Sequence, residues 1–558
     1  MNEYAMLHIP DSRYCFATGE KELVLRLRMS REDENLKVFL IYGQKYEFGL
    51  HQEELQMEIR YTDRLYNYYE VKMQLTDVRF AYIFRIEDEQ TVRYFSEDGL
   101  TENYRFEEGF YNFFQMPYIN KNDVMEVVEW MPGSVFYQIF VERFCKGDEK
   151  KDTGYINMEW EELPTPKSFA GGDLKGIQKH MDYLKQLGIN ALYLTPVFRS
   201  ISNHKYDISD YYTVDPQFGC KEDLRMLVKT AHDNGIRVVL DAVFNHCSIQ
   251  MQQFQDVLAN GKASPYYDWF LIDGDYPDPD KMNYECFAAC NYMPKLNTAN
   301  EKVQEFLLNV ATYWIREADI DGWRLDVSDE VSHDFWRKFR KAVKEEKRDC
   351  VIIGENWHDA YAYLMGDQYD SIMNYAFTKA CLDYFAKGVF SAKDMAEKLN
   401  SNLMRNTEQV NRMMLNLLDS HDTHRFFTEV GKDKEKLLAA IALEMVFEGA
   451  PCLYYGTELC MEGGYDPDSR RGFPWNTDWD MEFLGKVKEL IRIHKRPEIV
   501  QGQMKITEEM GMLRVERTLE KSRIILRVNM TEQEQICTPQ QEQNLCESGR
   551  FLITLVEE

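Results

Sequence analysis

No stretch of this 558-residue chain approaches the 18 or so uninterrupted apolar residues that a membrane-spanning helix needs. The first ten residues, Met1 to Pro10, lack a basic region followed by an apolar run, so nothing directs export, and a soluble, cytoplasmic protein is expected. Paired cysteines are also missing. The 12 cysteines are scattered from Cys15 to Cys546 without a C-x-x-C pair, and Cys286 and Cys290 have no neighbouring His or Cys to complete a zinc set. Reduced, mostly buried thiols follow. Positive charge is short as well: 66 Lys and Arg stand against 94 Asp and Glu, a net charge of -28. The attraction to a phosphate backbone that drives sequence-independent nucleic-acid binding therefore has the wrong sign, and no nucleic-acid partner is expected. Most of the surplus carboxylates are read as solvated surface. There is no low-complexity linker and no internal repeat beyond the strand–helix rhythm described below.

What is present is apolar mass. Hydrophobic residues make up 44% and aromatics 13% of the chain, enough to offset the ordering entropy that keeps polar chains unfolded. At roughly 100 to 200 residues per domain, the length predicts about three or four units. From about residue 20 to 118 the pattern is one of short strands, such as Glu22 to Leu27, Lys37 to Tyr42 and Phe80 to Ile86, which predicts a sandwich. Its aromatic end, Gly109 to Phe114, reads either as a packed edge or as a ligand-stacking surface.

Near Val135 the rhythm changes. Eight apolar, β-branched runs follow: Val135 to Phe140, Ile189 to Val197, Ile236 to Phe244, Ile320 to Val327, Val351 to Glu355, Ser371 to Tyr375, Met413 to Leu418 and Pro451 to Tyr455. Helical patterns separate them, for example Leu174 to Leu187 and Lys221 to Asn234, the latter closing at Gly235, where a left-handed cap is needed. Strand then helix, eight times over, predicts an α/β fold, a (β/α)8 TIM barrel. The interval from Ile236 to Ile320, 84 residues, is too long for one crossover helix and predicts an insertion after the third strand. The expected domains are an N-terminal β-sandwich over 1–122, the barrel over 123–246 and 301–500, an inserted subdomain over 247–300 and a C-terminal β domain over 501–558.

In such barrels catalytic groups stand at the C-terminal ends of the strands. Polar residues recur at four of these ends: Asp241 to His246 (DAVFNH), Gly322 to Asp326 (GWRLD), Gly354 to His358 (GENWH) and Asp419 to Asp422 (DSHD). One acid at a strand end would only cap the next helix; four such sites around one mouth are harder to read that way. Arg324 and Asp326 are two apart, so strand geometry turns both to one face, and the guanidinium holds Asp326 ionised and aimed. Glu355 ends the neighbouring strand. Paired carboxylates about 5 to 5.5 Å apart serve a retaining glycosidase as nucleophile and acid/base. That assigns Asp326 as nucleophile and Glu355, its pKa raised by that anion and nearby aromatics, as acid. The competing reading is a structural Arg–Asp pair with an unrelated Glu.

With these residues in view, the sequence resembles the α-amylase family of glycoside hydrolases, whose four short blocks occur in order at Asp241–His246, Gly322–Val327, Gly354–Glu355 and His421–Asp422. The stretch Met293 to Asn297 (MPKLN) is similar to the signature of the neopullulanase, cyclomaltodextrinase and maltogenic amylase subgroup, and Ser202 to Asp207, Trp357 to Ala360 and Gly464 to Arg471 also match it. The resemblance implies a retaining hydrolase of α-1,4-glucosidic bonds in cyclodextrins, maltodextrins and related glucans such as pullulan, acting through a covalent glycosyl-enzyme. It implies that the sandwich is starch-binding-like and that the protein is a homodimer in which the sandwich of one chain leans over the barrel mouth of the other. Residue by residue, it implies Asp326 as nucleophile, Glu355 as acid/base and Asp422 as a third carboxylate that binds sugar hydroxyls. It further implies Arg324, His246 and His421 around the sugar being cleaved, Tyr206 as its stacking platform and His204 as a nearby hydrogen-bonding group. Asp466 and Arg470 would hold the next glucose, and Phe287 and Trp357 would line the leaving side, although Phe287 also reads as core of the inserted subdomain.

One departure concerns metal. The subgroup's calcium loop would use Asp148, Asp152 and Asp173, but Lys146 and Lys151 stand where the pattern prefers Asn carbonyls. An ammonium donates and does not coordinate a hard cation. No cofactor is expected, with a lysine charge in place of the ion. Two rival readings remain: a transglycosylating or α-1,6-acting enzyme of the same family, and a non-catalytic amylase-like binding protein, which would lack the carboxylates and carry a membrane helix.

Overall fold

The computed structural model describes residues 1–531 and 541–557. Cys537 and its neighbours, part of the expected C-terminal domain, lie outside the described residues. The chain forms two compact units, one comprising Met1–Val127, Phe390–Asn411 and Lys505–Arg514, the other Val128–Val389, Arg412–Met504 and Val515–Glu558.

The first unit is built on a nine-stranded antiparallel arrangement. The strands expected at residues 22, 37 and 80 run over Glu22–Ser30, Lys37–Gln44 and Phe80–Glu87. Successive side chains of a strand point to opposite faces. Leu23, Leu25, Leu27 and Met29 accordingly fall together into one core with Val38, Leu40, Tyr82 and Phe84. The strand Glu53–Thr62 crosses between layers: its first half pairs with Lys37–Gln44 and its second half with Tyr66–Gln74. The aromatic end is part packed and part exposed. Phe114 joins the main core and Phe113 a smaller cluster with Ile41 and Phe48. Phe110 and Tyr111 are 60% and 90% exposed, and Phe110 stacks on Tyr46 with centroids 6.2 Å apart.

The second unit contains the barrel. Its strands, Phe136–Ile139, Ala191–Leu194, Arg237–Ala242, Gly322–Leu325, Val351–Gly354, Ser371–Ile372, Leu415–Leu417 and Ala450–Tyr454, fall one in each of the eight runs. They hydrogen-bond in the order 6-5-4-3-2-1-8-7, and a parallel bridge from Met373 to Leu415 joins the sixth strand to the seventh and closes the ring. Nearly every strand residue is buried, because helices cover the outer face and side chains fill the interior. Lys221–Asp233 is helical, and Gly235 takes the left-handed conformation (φ 73°) expected of it. The helix expected over Leu174 to Leu187 is instead two, Leu174–Lys179 and Met181–Leu187. His180 leaves the helical conformation at the break and stacks on Trp475 at 3.5 Å.

Two excursions from the barrel shape the mouth. After the second strand, Phe198–Ser200 and Ile208–Val214 pair as a short antiparallel ribbon that the sequence did not suggest. After the third, the inserted segment holds one α-helix, Gln252–Asn260, packed through Phe254 on Phe270 and Tyr284, and two short 3-10 turns, Gly261–Ala263 and Tyr267–Trp269. Bridges such as Phe270 to Leu296 and Cys286 to Pro294 tie it together. In the C-terminal β domain, Ser522–Val528 pairs antiparallel with Phe551–Glu557, which pairs with Gln543–Glu547. Of the 11 described cysteines, seven are buried and none is in a disulfide. No described helix is long and apolar enough to cross a membrane.

Candidate active site

Arg324 is the hub. It sits on the fourth strand with no solvent exposure, and its Nη1 donates to both oxygens of Asp241 at 3.0 Å and to Asp326 Oδ1 at 2.8 Å. Nη2 lies 2.9 Å from Glu355 Oε2. One planar guanidinium thus gathers carboxylates from the ends of the third, fourth and fifth strands, which its fork of donors suits. Glu355 is held further by the backbone N–H of Val327 (2.9 Å) and by Trp357 Nε1 (3.1 Å). Trp357 lies flat on Tyr375, centroids 3.6 Å apart.

A second chain of contacts runs from Asp241. Its Oδ2 accepts from Tyr193 (2.7 Å) and from Tyr206 (2.8 Å). Tyr206 is also 2.6 Å from His421 Nε2 and parallel to that ring within 2°. The other His421 nitrogen meets Gln138 Nε2 at 2.6 Å. Asp422 follows, 3.1 Å from His421 Nε2 and 3.3 Å from Arg470 Nη2, while Arg470 Nη1 lies 2.8 Å from Asp466. His204 stacks on Tyr206 at 5.9 Å. Phe287, at the turn of the inserted segment, stacks on His246 at 4.8 Å, and His246 Nε2 lies 4.0 Å from Asp326 Oδ2. All twelve residues singled out from the sequence therefore belong to one connected network, and Phe287 faces the site.

The segment carrying His204 and Tyr206 is pinned between them. Lys205 is wholly buried at φ 67°, a left-handed conformation that non-glycine residues rarely adopt. Its ammonium lies 2.9 Å from Asp215 and 2.6 Å from Gln217 Oε1. Burial lowers its pKa, opposed by Asp215.

Three buried carboxylates around one guanidinium is an electrostatically tense arrangement. Contrary to the expectation that Arg324 holds Asp326 ionised, burial pushes Asp326 well above the usual carboxylate range; Arg324 opposes this, and Glu355, Asp241 and Asp422 reinforce it. Asp241 is raised to about 6, again by burial and against Arg324. The histidines move the other way. Burial lowers His246 to about 3, helped by Lys295, and His204 to about 4, opposed by Asp207. His421 falls well below its ordinary value through burial and the charges of Arg470 and Arg324. At neutral pH all three are uncharged rings that donate or accept hydrogen bonds, and the approach of His246 to Asp326 is that of a neutral imidazole.

Asp241 stood in the first sequence block, yet its role as anchor of both Arg324 and Tyr206 was not read from it. Gln138, Tyr193 and Tyr375 were not found at all. Gln138 and His421 are 283 positions apart and meet only because the barrel closes, and no local pattern signals that. Asp148, Asp152 and Asp173 do not converge: among the described residues no group of three or more His, Cys, Asp or Glu is placed to hold a metal ion.

Comparison with known proteins identifies the family. Residues 138–523 match the α-amylase catalytic domain and residues 1–120 the α-amylase N-terminal Ig-like domain. The chain is 44% identical over 501 residues to a cyclomaltodextrinase of Thermoanaerobacter pseudethanolicus, covering 89% of this chain and 87% of that one. It is 40% identical over 511 residues to neopullulanase 2 of Thermoactinomyces vulgaris, covering 90% and 86%. A solved cyclomaltodextrinase superposes with a TM-score of 0.93 at 35% identity, covering 100% of this chain and 98% of that one. An arginine-centred carboxylate cluster at the mouth of an α-amylase-type barrel, in a chain this similar to hydrolases over most of its length, leaves no place for the non-catalytic reading: the chain belongs to the α-amylase family and is a glycoside hydrolase.

Proposed function

We propose that the protein hydrolyses α-1,4-glucosidic bonds in cyclodextrins and short maltodextrins with retention of configuration, with Asp326 as nucleophile, Glu355 as acid and then base, and Asp422 as the third carboxylate. The observation that carries this assignment is the pair of contacts from one guanidinium to Asp326 (2.8 Å) and Glu355 (2.9 Å), which sets the two carboxyl groups side by side on neighbouring strand ends. Asp326 Oδ1 is taken by Arg324, so Oδ2 attacks the anomeric carbon. As the C–O bond breaks, the Glu355 proton passes to the glycosidic oxygen and the outgoing sugar leaves as an alcohol. Glu355, now a carboxylate, takes a proton from water, whose oxygen attacks the same carbon and releases Asp326. Where a sugar hydroxyl replaces water, the same steps transfer the glycosyl group. The excess of carboxylate over guanidinium favours the cationic, oxocarbenium-like transition state.

Tyr206 supplies an aromatic face beneath the sugar, His204, His246 and His421 supply neutral hydrogen-bonding groups, and Arg470 with Asp466 holds the next glucose. Phe287 and Trp357 line the leaving side. The relatives named cyclomaltodextrinase support small cyclic substrates, and the one named neopullulanase supports pullulan as a further substrate. Chromatographic product analysis on cyclodextrin, pullulan, starch and maltodextrin tests the reading; starch preferred over cyclodextrin by kcat/KM would defeat it. A cytoplasmic, homodimeric enzyme acting on imported oligosaccharides fits the relative named intracellular maltogenic amylase, from Bacillus subtilis, and the exposed Phe110 and Tyr111.

A further inference from the structure

The family resemblance implies calcium in the loop that follows the first barrel strand, and the residues there do not suit it. Asp148 Oδ2 is engaged by Lys175 Nζ at 2.6 Å, and Asp152 Oδ1 accepts the N–H of Gly154 at 2.8 Å, closing a local turn. Asp173 is occupied as well: it accepts backbone N–H groups from Gly147 (3.1 Å), Asp148 (3.1 Å) and Gly176 (2.8 Å), the last as N-cap of the helix Leu174–Lys179. A hard divalent ion needs six to eight oxygens at about 2.3 to 2.6 Å. The oxygens that do converge here converge on a nitrogen. Lys151 Nζ lies 2.5 Å from Gly171 O, 2.8 Å from Asp173 Oδ2, 3.2 Å from Gln217 O and 3.5 Å from Gly172 O. The ammonium has three N–H donors, which serve Gly171 O, Asp173 Oδ2 and Gln217 O, and the contacts of 2.8 and 3.2 Å are nitrogen–oxygen hydrogen-bond distances, longer than a calcium–oxygen bond.

The cage is also closed. The Lys151 side chain is 7% and the Asp173 side chain 1% exposed. Gly171 contributes its carbonyl from φ 90°, and a Cβ added there would meet Ile156 Cδ1 at 2.4 Å. One buried carboxylate balances one ammonium, whereas a dication on the same single carboxylate would leave buried positive charge.

We infer that Lys151 is the resident cation of this cage: a tethered ammonium fastens the loop Gly147–Lys151 to Gly171–Asp173 and to Gln217, where a bound divalent ion would otherwise be required. The fastening reaches the active site. The backbone of Gln217 accepts from Lys151 while its side chain accepts from Lys205, the residue between His204 and Tyr206. A covalently held charge does not dissociate, so the fold of this region is independent of free calcium, unlike a site filled by mass action.

Thermal unfolding of the full-length protein in EDTA and in millimolar calcium tests this, with Lys150→Met, an exposed neighbour, as the control for lost charge. The wild type and Lys150→Met are expected to melt at the same temperature in both buffers. Lys151→Met is expected to melt lower in both, by about 3 °C or more. Lys151→Asn, which replaces the ammonium with an amide oxygen, is expected to melt lower in EDTA, to recover with calcium, and to show terbium luminescence sensitised by Tyr155, whose hydroxyl also reaches Gln217 O at 3.3 Å. If Lys151→Met gives no soluble protein, Lys151→Arg, which keeps the charge, is expected to be soluble and calcium-independent. A wild-type melting temperature that falls in EDTA and recovers with calcium overturns the inference. So does Lys151→Met or Lys151→Asn melting with Lys150→Met, a Lys151→Asn that neither calcium nor terbium affects, or a Lys151→Arg as insoluble as Lys151→Met.

Discussion

Tyr206 donates its hydroxyl hydrogen to Asp241 Oδ2 at 2.8 Å, which fastens the aromatic ring at the barrel mouth to the carboxylate that anchors Arg324. Sugar platform and charge cluster are therefore one mechanical unit. Tyr206→Phe keeps the ring and loses the tether. A hydrogen bond to a charged group is worth about 1.5 to 3 kcal/mol, so kcat/KM should fall by about tenfold or more. Steady-state kinetics on β-cyclodextrin checks this, and Tyr206→Ala, which also removes the stacking face, should be worse than Tyr206→Phe.

Asp326→Asn should abolish turnover, by about 10⁴-fold or more, with an unchanged circular dichroism spectrum, because an amide of nearly the same shape does not form the glycosyl ester. Near-wild-type activity in folded protein would remove the assignment. Glu355→Gln should lose leaving-group protonation and so suffer least on aryl glycosides with acidic leaving groups; equal losses on aryl and natural substrates would count against Glu355 as the acid.

Asp241 offers a pH test. The nucleophile must be ionised to attack; burial, reinforced by neighbouring anions, raises Asp326 well above the usual range, and burial raises Asp241 to about 6 against Arg324. The acid limb of kcat/KM should therefore lie well above pH 4. Asp241→Asn removes one of the anions that raise Asp326, so the limb should move to lower pH while kcat falls because Arg324 loses its anchor. A pH–rate profile whose acid limb stays in place would show that Asp241 does not act on the nucleophile electrostatically.

Stability should carry the opposite signature from the histidines. His204 and His246 are depressed to about 4 and about 3 in the folded state against 6.5 when unfolded. Below pH 6.5 the unfolded chain binds protons that the folded chain refuses, so their contribution is present above 6.5 and lost as pH falls towards 4. The raised Asp241 works against this, favouring the folded state at low pH and losing that advantage as pH rises from 3.8 to about 6. Urea midpoints of wild type and of His204→Gln/His246→Gln, measured from pH 7.5 to 4.5, should converge as pH falls, since the variant lacks the two groups that resist protonation. Parallel curves would contradict buried neutral rings.

Assembly is tested at the exposed aromatics. Phe110→Ser/Tyr111→Ser should weaken self-association in sedimentation velocity without unfolding the sandwich, whose core uses Phe113 and Phe114 instead. A wild type that sediments as a monomer at micromolar concentration would refute the dimer and leave the catalytic assignment untouched.

Much of this molecule is written locally. Strand and helix periods and turn glycines such as Gly235 follow from short-range sterics and from where apolar side chains must go, so the eight barrel strands were legible without coordinates, while the polar residues at four strand ends, together with the family resemblance, named twelve candidate site residues. The break at His180 was not, because its partner Trp475 lies far along the chain and stacking there competes with helix continuation. The ribbon around residues 198–214 was missed for a similar reason: its left-handed Lys205 is held by Asp215 and Gln217, not by an intrinsic turn preference. The sequence alone determined the barrel, the order of its chemical groups along the chain and the presence of Lys146 and Lys151 in the loop after the first strand. Tertiary structure decided which groups share one charge, in which direction Asp241, Asp326 and the three imidazoles move from their ordinary pKa, and where the Lys151 ammonium comes to rest, because these depend on burial and on contacts across hundreds of residues that exist only once the ring of strands has closed.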